Sequence, residues 1–432
     1  MPKITFLGAG STEFAKNLLG DTMLTEALHD SEIALYDIDL KRLVESETVL
    51  SAINNNCNNG KARITAYTDR KKALTKADFV INAIQVGGYE PCTVTDFEIP
   101  KKYGLRQTIA DTIGIGGIFR ALRTMPVMFD FARDMEDVCP DAWFLNYTNP
   151  MSSLTGAMQL HTGVKTVGLC HSVQVCAETL LKSVDMSCED IHYEIAGINH
   201  MAWLLKISRN GEDLYPEIKR RSKLIKEKHH DMIRHELMHT FGYYVTESSE
   251  HSAEYTPYWI KDRYPELIER FNIPLDEYLR RCVEHIERWD ILKEELVNNP
   301  KLTHERTIEY ASRIMEAMVT DKPYKIGGNV LNTGLIENLP REACVEVPCF
   351  VDKTGIKPCY VGYLPEQLAA LNRTNINPQL LTIEAAVTLK KENIYYAALL
   401  DPLTSAVLSI DDIKAMCDEM IEAHGDWLPK YT

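Results

Sequence analysis

The strongest constraint on the fold is a rhythm in the first third of the chain. Six short runs, "KITFLGAG", "EIALYDID", "ARITAYTD", "DFVINAI", "WFLNYTNP" and "KTVGLCH", are rich in Val, Ile, Phe or Tyr and end in turn-prone residues. Segments of helical spacing separate them, among them Glu13 to Glu26 and Ile118 to Val138. Strand–helix alternation closes through right-handed crossovers into a parallel sheet with helices on its faces. The expected fold class is α/β, with a nucleotide-binding type of parallel sheet over residues 1–190. Beyond about residue 190 the rhythm changes. "YEIAGINHMAWLLKI" reads as antiparallel strands, Leu214 to Arg313 as charged helical sequence, and "ACVEVPCFVDKTGIKPCYVGYLP" as a hairpin turning at Asp-Lys-Thr-Gly. Helices from Pro378 close the chain, so residues 191–432 are expected to form a mixed α+β domain docked tightly on the first.

Charge and cysteine usage narrow the function. A formal charge of −15, with the acids spread along the chain, disfavours nucleic acid and anionic membranes as partners. It suits an enzyme acting on a neutral or cationic small molecule. No apolar stretch reaches the roughly 20 residues needed to span a bilayer. "MPKITFLGAG" lacks the pattern of a secretory signal, and 11 cysteines without regular spacing read as reduced thiols in a cytoplasmic protein.

The first run ends in "GAGSTEF", which opens a helix. Gly8 permits a tight turn, Gly10 lets backbone come close to a pyrophosphate, and Ser11 stands at the helix start. Glu13 occupies the place of the third glycine of the dinucleotide pattern. The second run ends in "YDID", which puts Asp37 or Asp39 where a carboxylate would bind both ribose hydroxyls of NAD and disfavour NADP. The competing reading is that Asp37 caps the next helix.

Two further strand ends carry metal-ligand types. "GLCHS" places Cys170 at the carboxyl edge of the sheet, and "GINHMAW" presents His200 among apolar neighbours. A thiolate and an imidazole on two strand ends could hold a divalent metal, substrate oxygens completing its shell. "NYTNP" adds an exposed amide, Asn149, at another strand end. A rival metal motif is "HELMH": on a helix, His235 and His239 face one way with Glu236 beside them, as in zinc peptidases. On the residues alone both remain open: a buried Cys is commonly inert, a lone His commonly structural, and HELMH equally reads as a helix with His on its face.

Taken in order, "ITFLGAGS", "ADFVINAIQVGGYE", "GIGGIFRALR", "NYTNP", "VGLCHS", "AGINHMAW", "ENLPREACVEVP" and "EAHGDWLP" resemble glycoside hydrolase family 4 over nearly the whole chain. Within it, "GGYEPCTVTDFEIPKKYGL", "QTIADT" and "VTESSEHSAEYTP" look most like the α-galactosidase members. The resemblance implies a Rossmann-like, lactate/malate dehydrogenase-like fold, NAD and Mn2+ as cofactors, a sugar substrate and a homo-oligomer, dimer or tetramer. Thiolate chemistry by itself would equally accept zinc. By position, Cys170 and His200 match the family's metal pair, and Asn149 matches a residue that hydrogen-bonds sugar hydroxyls. His171 stands where phospho-sugar members have an acidic general acid, and Asp111 matches a residue assisting the base. For the base, Tyr255 is preferred over His251 and Glu254.

The resemblance also implies a mechanism unlike that of paired-carboxylate glycosidases. Oxidation at C3 acidifies the C2 proton, a base removes it, elimination expels the aglycone, water adds back and C3 is re-reduced. Other readings remain. A 6-phospho-glycosidase would prefer phosphorylated glycosides. A 2-hydroxy-acid dehydrogenase would release NADH on malate or lactate. An NAD-responsive binding protein would bind the dinucleotide without turnover.

Overall fold

The structure, a computed structural model, describes residues 1–432 apart from the side chain of Asp290. All six expected strands form: β1 (Lys3–Leu7), β2 (Glu32–Tyr36), β3 (Arg63–Tyr67), β4 (Phe79–Asn82), β5 (Trp143–Asn146) and β6 (Lys165–Gly168). They pair in parallel in the order β3–β2–β1–β4–β5–β6. Ile4, Phe6, Ile33, Leu35, Val80, Ile81, Phe144 and Leu145 have no exposed surface, because helices cover the sheet. The strand order reverses between β1 and β4, and successive connections there leave in opposite directions. A crevice therefore opens at the carboxyl ends of the strands, where such sheets bind ligands.

The remaining strands are β7 (Ile191–Ile198), β8 (Met201–Arg209), β9 (Glu212–Asp213), β10 (Tyr244–Val245), β11 (Tyr324–Leu331), β12 (Cys344–Asp352) and β13 (Gly355–Pro358). β7 and β8 form the antiparallel pair expected from "YEIAGINHMAWLLKI", and β12 and β13 form the hairpin that turns between Asp352 and Gly355. These strands do not build a separate sheet. β11 pairs antiparallel with β6 through Asn329 and Gly168, then β12, β7, β8 and β10 follow in turn. The result is one 13-stranded sheet, parallel on one wing and antiparallel on the other.

The joining strand, β11, is the element that the pattern of "YKIGGNVL" conceals. Its two central glycines lower strand propensity, so its pairing is set by neighbours on both sides. One hydrophobic core runs through both halves, from Ile4 to Leu428, and a smaller one lies between β7, β8 and the helix Ser172–Ser183. The 11 cysteines are all free. Among the described residues, no helix is long and apolar enough to cross a membrane.

Candidate active site and metal centre

The glycine turn after β1 is built as a close approach between strands. Gly8 has φ +88°, and a Cβ there would sit 2.7 Å from the carbonyl oxygen of Ala83. Its amide and that of Ala9 both donate to the Tyr36 carbonyl, tying the turn to the end of β2. Gly10 donates its amide to Asp37 Oδ2 at 2.6 Å, and a Cβ on Gly10 would collide with that same oxygen. Ser11 then caps the helix Thr12–Met23 with its backbone, its side chain making no cap bond. Of the two carboxylates in "YDID", Asp37 is the one that lies against the turn. Asp39 is the helix cap: its carboxylate accepts from the amides of Lys41 and Arg42 and starts the helix Leu40–Asn58. The cradle fits a dinucleotide, with Gly8, Gly10 and Ser11 for the pyrophosphate and Asp37 for the ribose.

Cys170 and His200 meet although 30 residues in sequence and two strands of the sheet, β11 and β12, separate their strand ends. β6 delivers Cys170 two residues past its end, and the tight β7–β8 connection delivers His200. His200 sits at φ +63°, a conformation costing a non-glycine residue roughly 1–2 kcal/mol. Glu247 completes the group. It follows β10, which pairs with β8 through Tyr244 and Val245 and so leads the chain back to the His200 end of the sheet. The ligand atoms of Cys170, His200 and Glu247 lie within 4.8 Å of one another, and His200 Nε2 is 3.6 Å from Glu247 Oε2. The Ser248 amide fixes the other Glu247 oxygen at 2.8 Å.

Electrostatics at this cluster favours a cation. Burial pushes the Cys170 thiol up to about 12, and the charges of Glu346 and Glu247 add to the effect. Burial likewise pushes Glu346 up to about 7, with His200, Asn329 and Asn199 pulling the other way. One thiol, one imidazole and one carboxylate make a donor set suited to a divalent transition metal. The residues present fit that group, and a bound cation would stabilise the thiolate.

Around this cluster stand the remaining candidates. The short helix Ser249–Tyr255 carries His251, Glu254 and Tyr255. Tyr255 is fully buried, and its hydroxyl has no hydrogen-bond partner. Burial, joined by the charges of Asp111, Glu254 and Glu247, raises its phenol well above the ordinary value; a divalent cation beside it would act in the opposite sense. The His200 and His251 rings meet edge to face at 4.5 Å, and the Tyr255 ring lies 6.3 Å from His200. His251 Nε2 faces Asp111 Oδ1 at 3.5 Å. Burial alone would raise the Asp111 carboxyl, but His251 and Arg120 hold it well below the usual range, so it is an anion. Asn149 Nδ2 reaches Asp111 Oδ2 at 3.4 Å, and the Asn149 carbonyl accepts from Arg120.

Glu254 is occupied otherwise. Its carboxylate accepts from the backbone amides of Thr108, Ile109 and Ala110, with Ala110 at φ +52°. It shapes the loop that presents Asp111, which leaves Tyr255 and His251 as the groups free to act as base. His171, next in sequence to Cys170, bonds Glu309 Oε2 through Nε2 at 2.8 Å, and the Tyr147 and Tyr310 rings lie against it. Burial alone would lower the imidazole, but the bond and charge of Glu309 outweigh it, so His171 is raised and holds its proton more firmly.

The sequence profile of the Family 4 glycosyl hydrolases matches residues 3–186, and that of the family's C-terminal domain matches residues 195–404. The chain belongs to glycoside hydrolase family 4. An α-galactosidase of Bacillus subtilis (strain 168) is 66% identical over 432 residues, covering 100% of both chains. Among solved structures, a 6-phospho-alpha-glucosidase from gut microorganisms in complex with NAD and Mn2+ superposes with a TM-score of 0.83 at 21% identity, covering 100% of both chains. Malate dehydrogenase from Plasmodium falciparum superposes with a TM-score of 0.53 at 13% identity, covering 91% of this chain and 100% of that one. These two likenesses speak for the fold, an α/β architecture with a Rossmann-like sheet.

In this family 4 hydrolase the HELMH segment has a structural role. It lies on the helix Met232–Phe241, as the spacing requires, but both imidazoles already have partners. His235 is buried against Asp231 at 3.4 Å and Ser183 at 3.3 Å, and His239 Nε2 lies 3.0 Å from Ser222 Oγ. Among the described residues, the group of three or more His, Cys, Asp and Glu with metal-ligand proximity is Cys170, His200 and Glu247. Replacing His239 by Ala therefore leaves metal content, measured by elemental analysis, and glycosidase activity at parental levels; loss of one metal equivalent would restore the zinc reading.

Three groups escaped the sequence reading. Glu309 lies 138 residues from His171, and no local pattern signals that contact. Arg120 is buried in the helix Gly114–Val138, within the "GIGGIFRALR" motif, yet its charge faces Asp111. Glu247 offered one signal: a carboxylate one residue beyond the apolar "YYV", near the start of a motif already marked for its base candidates.

Proposed function

We propose that this family 4 hydrolase cleaves α-galactosides, with NAD and Mn2+ as its cofactors. The observation that carries the reading is the meeting of Cys170, His200 and Glu247 beside the buried, unpartnered hydroxyl of Tyr255, at the carboxyl end of a nucleotide-binding sheet. The 66% identity to a bacterial α-galactosidase over the full chain supports the choice of sugar. When bound, NAD supplies a hydride acceptor and donor for C3 of the sugar, and Mn2+ a Lewis acid for its C2 and C3 oxygens.

The chain's own residues then divide the work. Asn149 hydrogen-bonds sugar hydroxyls. Tyr255 takes the C2 proton on its phenolic oxygen as a phenolate, its own hydroxyl proton having first passed to the Asp111–His251 pair beside it. His171, held protonated by Glu309, gives its proton to the leaving oxygen at C1. We place the division between a nucleotide-binding part and a substrate part near residue 190, and the protein in the cytoplasm as a homo-oligomer, in keeping with its free cysteines.

The test of the sugar is a panel of nitrophenyl glycosides, α and β, with and without a 6-phosphate, assayed with NAD, Mn2+ and a thiol reductant. Hydrolysis of the α-galactoside above all others is expected; preference for a phosphorylated glycoside, or net NADH release on malate, would point elsewhere. The acid has its own signature. His171→Ala lowers kcat on an alkyl α-galactoside by about 10²-fold, but far less on a nitrophenyl one, whose leaving group needs little protonation. Equal losses on the two would remove His171 from that role.

A further inference from the structure

One row of residues crosses the junction between the two wings of the sheet. Gly168 on β6 pairs with Asn329 on β11, Asn329 with Glu346 on β12, and Glu346 with Gly197 on β7. Cys170 follows the first residue of this row by two positions, and His200 follows the last by three. Asn329 and Glu346 thus occupy the two strands between the metal-ligand strand ends, and neither has any exposed surface. Asn329 Nδ2 donates to Glu346 Oε1 at 3.0 Å and to the Gly168 carbonyl at 3.3 Å. A fully buried carboxylate in the middle of a sheet is costly unless something offsets its charge. No basic side chain bonds it among the hydrogen bonds of the described residues; Glu346 Oε2 and His200 Nδ1 are buried without a partner.

We propose that Glu346, held by Asn329 on the strands between those that deliver Cys170 and His200, is an outer anionic partner of the metal centre that raises its affinity for a divalent cation. The inference rests on the metal-centre reading above. A ligating imidazole works best when its second nitrogen has a partner that fixes the ring, and carboxylates commonly fill that role. Nδ1 of His200 makes no such bond while Nε2 faces Glu247, so Glu346 acts on the centre through its charge. The charge of Glu346 also offsets part of the cation's, so an empty centre leaves this carboxylate uncompensated. Glu346 therefore works against the metal-free fold and in favour of the loaded one.

The two halves of that statement give opposite signs in one variant. Glu346→Gln keeps the shape and the Asn329 contact but removes the charge. In the full-length protein, Mn2+ affinity, read by electron paramagnetic resonance of free Mn2+, is expected to fall 10–100-fold. NAD affinity stays unchanged, and the metal-free melting temperature stays level or rises. Mn2+ affinity within twofold of the parent overturns the proposal, as does a fall accompanied by weaker NAD binding and a lower metal-free melting temperature. Should Glu346→Gln not yield folded protein, Glu346→Asp withdraws the charge by one methylene. An at least threefold loss of Mn2+ affinity with NAD binding intact supports the proposal, and unchanged Mn2+ affinity sinks it. If the parent itself binds no Mn2+, the metal-centre reading fails and not this step alone.

Discussion

Tyr255→Phe is expected to lower turnover of an α-galactoside by about 10²–10⁴-fold, the range for removing a general base, while leaving the fold intact. The substitution deletes one oxygen that is buried and has no partner, so no hydrogen bond is lost and the melting temperature holds or rises. A loss of activity in this variant is therefore a loss of chemistry. NAD and Mn2+ affinities remain as in the parent, because Tyr255 is neither in the glycine turn nor among the clustered ligand atoms. Full activity in Tyr255→Phe would move the base to His251, the neighbouring candidate not occupied by backbone amides.

The same variant reports on mechanism when the solvent is deuterated. Elimination must break the C2–H bond, whereas displacement at C1 by paired carboxylates leaves it alone. Parental enzyme in deuterated water yields galactose labelled at C2, and Tyr255→Phe depresses labelling and turnover together. Unlabelled product from active enzyme leaves a shielded proton as the one escape. A C2-deuterated substrate closes it: retained label with a slowed rate means a shielded proton, and retained label at an unchanged rate ends the elimination reading.

Much of the parallel wing was legible because its signals are local. Each of the first six runs holds apolar, β-prone residues between turn signals, and each became a strand. Gly8 and Gly10 could be read because a tight turn and a close approach need glycine whatever lies elsewhere. The antiparallel wing was legible only as hairpins. Its attachment to β6 runs through "YKIGGNVL", whose glycines hide a strand that exists because it is paired on both sides. The site divides along the same line. Cys170, His200 and Asn149 stand at strand ends and carry their chemistry in their own identity. Glu247, Glu309 and Glu346 are ordinary carboxylates in sequence; the paths of β10 and β12 bring Glu247 and Glu346 to the centre, and Glu309 reaches His171 from the segment before the helix Ala311–Thr320. Asp37 and Asp39 differ by two positions and by one hydrogen bond to Gly10, a distinction no composition or spacing rule draws.

Cys170→Ser should be the most damaging single change at the metal centre, because sulfur cannot be replaced there by a weaker donor without losing the charge as well. A serine hydroxyl does not ionise near neutral pH, so the variant offers a neutral oxygen where the parent offers a thiolate. Mn2+ affinity falls by at least about 10²-fold, beyond the 10–100-fold expected for an outer partner, and α-galactoside turnover falls with it. NAD binding survives, since the glycine turn and Asp37 are built on β1 and β2, away from the β6 end that carries Cys170. Stability holds too. Cys170 bonds only Ser172 through its side chain, at 3.3 Å, and an uncharged thiol exchanged for a hydroxyl in that place leaves no new buried charge. The parent also carries a liability that the variant lacks. A bound cation holds Cys170 as a thiolate, and a thiolate oxidises, so peroxide inactivates the metal-loaded parent and reductant restores it until sulfinic acid forms. Bound substrate analogue slows that inactivation by covering the sulfur. If Cys170→Ser binds Mn2+ with parental affinity, the assignment of Cys170 as ligand is wrong, and the metal must then be held by His200 and Glu247 without it.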